Sequence, residues 1–235
     1  MDIDRRMRLW GLVVERAHGE PVALGHVCDA VILAANVDGA AIVVAVSATP
    51  PETLHVSDPV ASVLEELALT LGEGPRVDAL AGGLVLVADI VGARCLARWP
   101  VFAPAAARAG ARAVFALPLQ VGGIRLGVMD LYRAAPGDLR GEHLADALML
   151  ADTACALLLD LAGQGSGHLY ESGPEPVSGQ HPVVHQATGM LIVQLGVSAT
   201  VAMIRLRAYA YAHDRRLGDV AADVVARRLR FESDG

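Results

Sequence analysis

Apolar positions Ile3, Met7, Trp10, Val14 and Ala17 recur with a 4-3-4-3 spacing, which predicts an amphipathic helix whose seam can pair with another helix. A second seam of this kind, Leu144, Leu148, Ala151, Cys155 and Leu158, comes late in the same region. Between them, residues 24–36 read as a helix, and Val37-Asp38-Gly39 supplies a turn before the β-branched run 41–46. Further strands are expected at 52–57, 84–90, 113–119 and 124–132, the last two flanking Val121-Gly122-Gly123 as a hairpin. Helical segments at about 59–69 and 101–109 interrupt them. This order predicts an α+β domain with one mainly antiparallel sheet packed by helices.

Residues 163–180 crowd Gly, Ser, Pro and Glu together and cannot bury a core, so they read as a flexible linker. The period then switches to that of a helix. Val184, Ala187, Leu191 and Leu195 form one stripe, stopped by Gly196. Ser198 stands at an N-cap position before a second helix over 199–213, with Val201, Ala202, Met203, Leu206 and Ala210 expected toward its core. A third helix is expected over about 217–229, giving a small three-helix bundle. The predicted organisation is an N-terminal helix at 1–20, an α+β domain at 21–162, the linker, and a helical tail at 181–235.

Charge separates the two parts. The 235 residues carry a formal charge of −7, and all 19 basic residues are arginine, a composition typical of a GC-rich genome. Residues 1–180 hold 12 Arg against 21 acids, whereas 181–235 hold 7 Arg against 5. The acidic total hides a basic tail, which points to a polyanionic partner. The longest charge-free apolar stretches, 39–51 and 113–124, fall short of the roughly 18–20 residues that span a bilayer. The N-terminus lacks the pattern of an export signal, so a cytoplasmic protein without a membrane partner is expected. Cys28, Cys95 and Cys155 show no metal-ligand spacing and are expected to be reduced core thiols. His181 and His185 lie at i, i+4 without a converging third ligand. No metal, cofactor or catalytic residue is assigned, and no enzymatic activity is expected. The Glu65-Glu66 pair projects in two directions on a helix and reads as solvated, and Gly72-Glu73-Gly74-Pro75 reads as a turn.

Three blocks in the tail, His185-Gln-Ala-Thr-Gly-Met190, Leu206-Arg-Ala-Tyr-Ala-Tyr211 and Arg216-Leu-Gly-Asp-Val-Ala221, resemble the ANTAR domain over about 181–230. Upstream, Leu71-Gly-Glu-Gly-Pro75, Arg98-Trp-Pro-Val-Phe102 and Leu126-Gly-Val-Met-Asp-Leu-Tyr-Arg133 resemble the GAF-type sensor that accompanies such domains in actinobacteria. The resemblance implies an RNA-binding antitermination regulator. Such proteins bind, as dimers, paired stem-loops with hexanucleotide loops in nascent RNA and keep a terminator hairpin from forming.

Loops of RNA expose unstacked bases that proteins read by stacking and edge hydrogen bonds, while Arg grips phosphates. Carried onto this chain, the resemblance makes Arg205, Arg207, Arg215, Arg216, Arg227 and Arg228 the phosphate candidates. Tyr211, one helical turn from Arg207, is a stacking candidate. Gln186 offers an amide to a base edge, and Thr188 and Gly189 allow close approach of the first tail helix. First and last helices of GAF domains often pack against a second subunit, which implies a homodimer through Met7, Trp10, Val14, Leu148, Ala151 and Cys155. The identity of any small molecule sensed by the GAF-like part is left open. The competing reading is a GAF-based small-molecule-binding or redox protein whose helical tail is a protein-interaction module.

Overall fold

The computed structural model describes residues 2–45, 51–163 and 181–232. The expected linker falls almost wholly outside the described residues. At the centre of the fold, strands β4 (Ala113–Val121) and β5 (Ile124–Arg133) pair antiparallel from Ala113↔Arg133 to Val121↔Ile124. Gly122 and Gly123 form the tight turn between them, with Gly122 at φ 59°, where a side chain would be strained. Strands β1 (Gly39–Val44), β2 (Glu52–Val56) and β3 (Val85–Val87) complete an antiparallel sheet of order β2-β1-β5-β4-β3.

Alternation along the central strands sends side chains into two cores. Phe115, Leu117, Leu119, Met129 and Leu131 face helices α1 (Asp2–Ala17), α2 (Leu24–Ala35) and α7 (Gly141–Gly163). Val114 and Tyr132 face the other way, into a core shared with α3 (Pro59–Leu71) and α6 (Phe102–Ala109). Two short helices complete this second side: α4 (Pro75–Gly82), and α5 (Ala93–Arg98), which leads to Trp99. They are too short for a helical period to be read from the sequence.

Helix α3 starts cleanly because Asp58 accepts the Val60 and Ala61 N–H groups at 2.8 and 3.0 Å, with Pro59 in the first turn. The Tyr132 hydroxyl donates to the same carboxylate at 2.9 Å, which ties the helix start to β5.

The tail folds as α8 (His181–Leu195), α9 (Ala199–Ala212) and α10 (Leu217–Val225) around Val184, Ala187, Leu191, Leu206, Leu217 and Val220. Ser198 caps α9 by accepting the Val201 N–H at 3.3 Å, and Gly196 takes φ 65° at the preceding stop. Val201, expected toward the core, points outward. The third helix ends at Val225, short of the expected 229, and Arg227 adopts φ 60° just beyond it.

The first seam is real but faces away from the chain's own core. On α1, Leu9 and Val13 are buried, while Ile3, Met7, Trp10 and Val14 lie on the opposite, exposed face. On α7, Leu148 is exposed, but Ala151 and Cys155 are buried beside α2 and the sheet. These last two therefore belong to the chain's own core and cannot face a second subunit. A stripe at helical spacing can fill either role, and here α2 covers half of it.

Candidate nucleic-acid interface

The tail's candidate side chains divide between two faces. On the outer face, Gln186 and Gly189 of α8 are exposed along an open groove of about 560 Å³, with Val193, Arg227 and Arg230 on its walls. Gly189 meets nothing within 4 Å of the place a Cβ would occupy, so this surface of α8 is open to a ligand. Thr188, proposed from the resemblance to aid close approach, is buried, and its hydroxyl donates to the Val184 carbonyl at 2.7 Å. It holds the helix rather than presenting itself to RNA, and its role is corrected accordingly.

Two arginines of the set are already paired. Arg215 and Arg228 both reach Asp223, each at 2.7 Å. The two guanidinium groups hold the Asp223 carboxyl below its usual range, and Asp223 in turn pushes Arg215 up. Arg205 donates to the Glu232 carbonyl at 3.1 Å. Tyr209 stacks on His213 with centroids 3.9 Å apart and meets Phe231 edge-on, so it serves the end of the bundle.

On the inner face, Arg207, Tyr211 and Arg216 lie toward α3 of the sheet domain. Arg207 donates its Nε–H to the Leu69 carbonyl at 2.8 Å. Tyr211, Arg215 and Arg216 line a cleft of about 400 Å³ whose far wall is formed by Ser62, Glu66 and Arg108. Tyr211 keeps 61% of its surface exposed within that cleft. The sequence places Arg207 and Tyr211 on one helical face, but nothing in the sequence places that face against the sheet domain.

The sheet domain holds a second feature that sequence reading missed. Glu65, taken as solvated, is buried and bonded by Arg76, which also donates Nη2 to the Glu65 carbonyl at 3.1 Å. Asp130 of β5 is buried beside them. Burial pushes the Glu65 carboxyl up against the opposing pull of Arg76. Burial and then the Glu65 charge push Asp130 well above the usual carboxylate range, and both of its buried oxygens lack a hydrogen-bond partner among the described residues. A carboxylate inside the otherwise aliphatic run Val128-Met-Asp-Leu131 of a central strand was the available signal. The space among Glu65, Arg76, Asp130 and Phe102 is about 20 Å³, the size of one water. Glu73 of the predicted turn has a local role, accepting the Val101 and Phe102 N–H groups at 2.8 and 2.6 Å.

The cysteines are free, with Cys28 and Cys155 buried and Cys95 half-buried. Burial raises all three thiols, Cys155 to about 11, which disfavours the thiolate that redox chemistry requires. No single helix among the described residues is long and apolar enough to cross a membrane.

A five-stranded antiparallel sheet covered by helices is followed by a helical bundle rich in arginine. Residues 179–225 match the ANTAR domain. The chain is also similar to the GAF domain of a phosphoenolpyruvate-protein phosphotransferase from Acinetobacter, at 13% identity and a TM-score of 0.50, over 69% of this chain and 96% of that one. The corresponding GAF domain from Coxiella burnetii gives 12% identity and a TM-score of 0.50, over 71% and 99% of the two chains. At such identities the likeness establishes the fold alone. No curated protein matches the chain. The protein thus joins a GAF-like α+β fold to a helical tail that matches the ANTAR domain over residues 179–225.

Proposed function

We propose that this protein is a non-catalytic, cytoplasmic RNA-binding regulator of transcription antitermination, in which the GAF-like domain senses a signal and the ANTAR domain reads RNA. The ANTAR match over residues 179–225 carries the reading. RNA carrying two hexanucleotide stem-loops is the partner, and its engagement prevents a terminator hairpin from forming. Gln186 and Gly189 with Arg227 offer one contact surface, and Arg207, Tyr211 and Arg216 offer a second.

The functional unit in this reading is a homodimer. Its support is the exposed apolar row Ile3, Met7, Trp10 and Val14 on α1, with Leu148 nearby on α7; Ile3 is 78% and Trp10 43% exposed. Apolar side chains repeating along one helix face are costly to leave in water, and a second copy of that face would cover them.

A gel-shift titration of the full chain against tandem hexaloop RNA and a loop-scrambled control, at several salt concentrations, tests the function. The expected result is preference for the native loops and weakening with salt, with a log–log slope of about −0.7 per single-strand phosphate contact. Equal binding to both RNAs, or to neither, refutes it.

A further inference from the structure

Two helix ends meet across the boundary between the GAF-like domain and the tail. The last turn of α3 leaves carbonyls without partners inside the helix, and Arg207 of α9 supplies a donor to one of them, Leu69. Gly72 follows α3 at φ 67°, and a Cβ at that position would come within 2.8 Å of Arg207 Nη1, so the glycine leaves room for the guanidinium. In the opposite direction, α10 begins with Arg216 at its N-cap, which makes no side-chain cap. Glu66 of α3 stands beside it, lining the same cleft as Arg216. A cation thus sits at the C-terminus of α3, the favourable sense for its dipole, and a carboxyl lies near the start of α10.

Leu69, one turn from Glu66, lies between the two contacts. It is 3% exposed and clusters with Leu206, Leu217 and Val220 of the tail rather than with the cores of its own domain. Arg207 meets a neutral carbonyl in this contact rather than a carboxylate. Its charge is further disfavoured by burial and by the nearby Arg76. A phosphate would satisfy it better.

We infer that this clasp is autoinhibitory: α3 occupies Arg207 and the α9–α10 corner, and RNA competes with α3 for them. The inference rests on the RNA-binding reading above and adds its regulation. The adjoining face of α3 carries Leu64, Glu65 and Ala68, which line the small buried space against β5, and Glu65 lies one helical turn before Leu69. A change in that space moves the helix that holds the clasp.

The test compares the full chain with Leu69→Glu and Glu66→Gln, neither of which alters an RNA-contacting residue. Leu69→Glu removes the apolar anchor and should tighten binding to tandem hexaloop RNA at least tenfold, with Glu66→Gln smaller in the same direction. Equal affinity of all three proteins, or weaker binding by Leu69→Glu in a protein that melts normally, overturns the clasp while leaving the RNA reading intact. If none of them prefers hexaloop over scrambled RNA, the RNA reading fails and the clasp fails with it. Should Leu69→Glu not fold, Glu66→Gln decides alone, with a threefold gain expected and no gain refuting.

Discussion

Replacing Arg76 by Met isolates the cost of the buried charges in the GAF-like domain. Arg76 is the cation beside two buried carboxyls, Glu65 and Asp130, and Met keeps most of its apolar stem. Removing one partner of a buried ion pair costs about 3–5 kcal/mol when the remaining charge has nowhere to go. At about 2–4 °C per kcal/mol for a domain of this size, the melting temperature should fall by about 6–20 °C at pH 8. The loss depends on pH. Both carboxyls titrate above their ordinary values in the folded protein, so the folded state binds protons more tightly than the unfolded one. Stability is therefore greatest below the unfolded carboxylate values near about 4 and declines as pH rises toward the raised folded values. Without Arg76 those values rise further and the decline steepens. Near pH 4 the raised folded values keep the buried carboxyls mostly protonated with or without Arg76, while unfolded carboxyls are about half ionised in both proteins, so the variant should melt within a few degrees of the parent. The assay is thermal unfolding at pH 4 and 8, followed by circular dichroism and by fluorescence of Trp99, which is buried in the neighbouring core. Equal losses at the two pH values would refute the account. So would a failure of Glu65→Gln with Asp130→Asn to recover the variant at pH 8.

Paired Met7→Glu and Trp10→Glu substitutions should convert a dimer to a monomer in sedimentation velocity, and an unchanged mass would remove α1 from the interface. Arg216→Ala should weaken hexaloop RNA binding about tenfold or more, the worth of a charged hydrogen bond, and flatten the salt dependence by about one phosphate contact. An unchanged slope excludes Arg216 as a phosphate contact. Leu206→Ala empties a fully buried site in the tail and should destabilise the tail by about 2–5 kcal/mol, seen as faster hydrogen exchange in α8 to α10 with α2 and α7 unaffected. Asp58→Ala removes the cap of α3 and should cost the GAF-like domain about 1 kcal/mol in urea unfolding, with more lost if the Tyr132 hydroxyl finds no new acceptor.

Local signals carried much of this structure. The glycine pair between β4 and β5, the Ser198 cap and the Gly196 stop each appear where turn and helix-end chemistry put them. The positions of β4 and β5 were legible because segments of strand length and β-rich composition flank a glycine turn. Information about partners across the fold was not. Glu65 and Glu66 are identical neighbours in sequence, yet one is buried with Arg76 and the other lines the cleft beside Arg216. Ala151 and Leu148 share a periodic stripe, and only the position of α2 decides which one is covered. In the same way, a basic helix reveals its charge but not that half of its candidate contacts face another part of the same chain.

Tethering changes what the cross-domain contacts must accomplish. Joined in one chain, α3 and the ANTAR helices meet at an effective concentration on the order of millimolar, so a contact too weak to hold two separate molecules together can still keep one molecule closed. Such a contact opens at little cost when a tighter ligand arrives. The structural route from the buried carboxyls to Arg207 runs along one turn of α3, from Glu65 to Leu69, about 6 Å, and it bypasses the covalent connection between the two parts. Within that arrangement α3 acts as the lever that decides whether the two surfaces stay together.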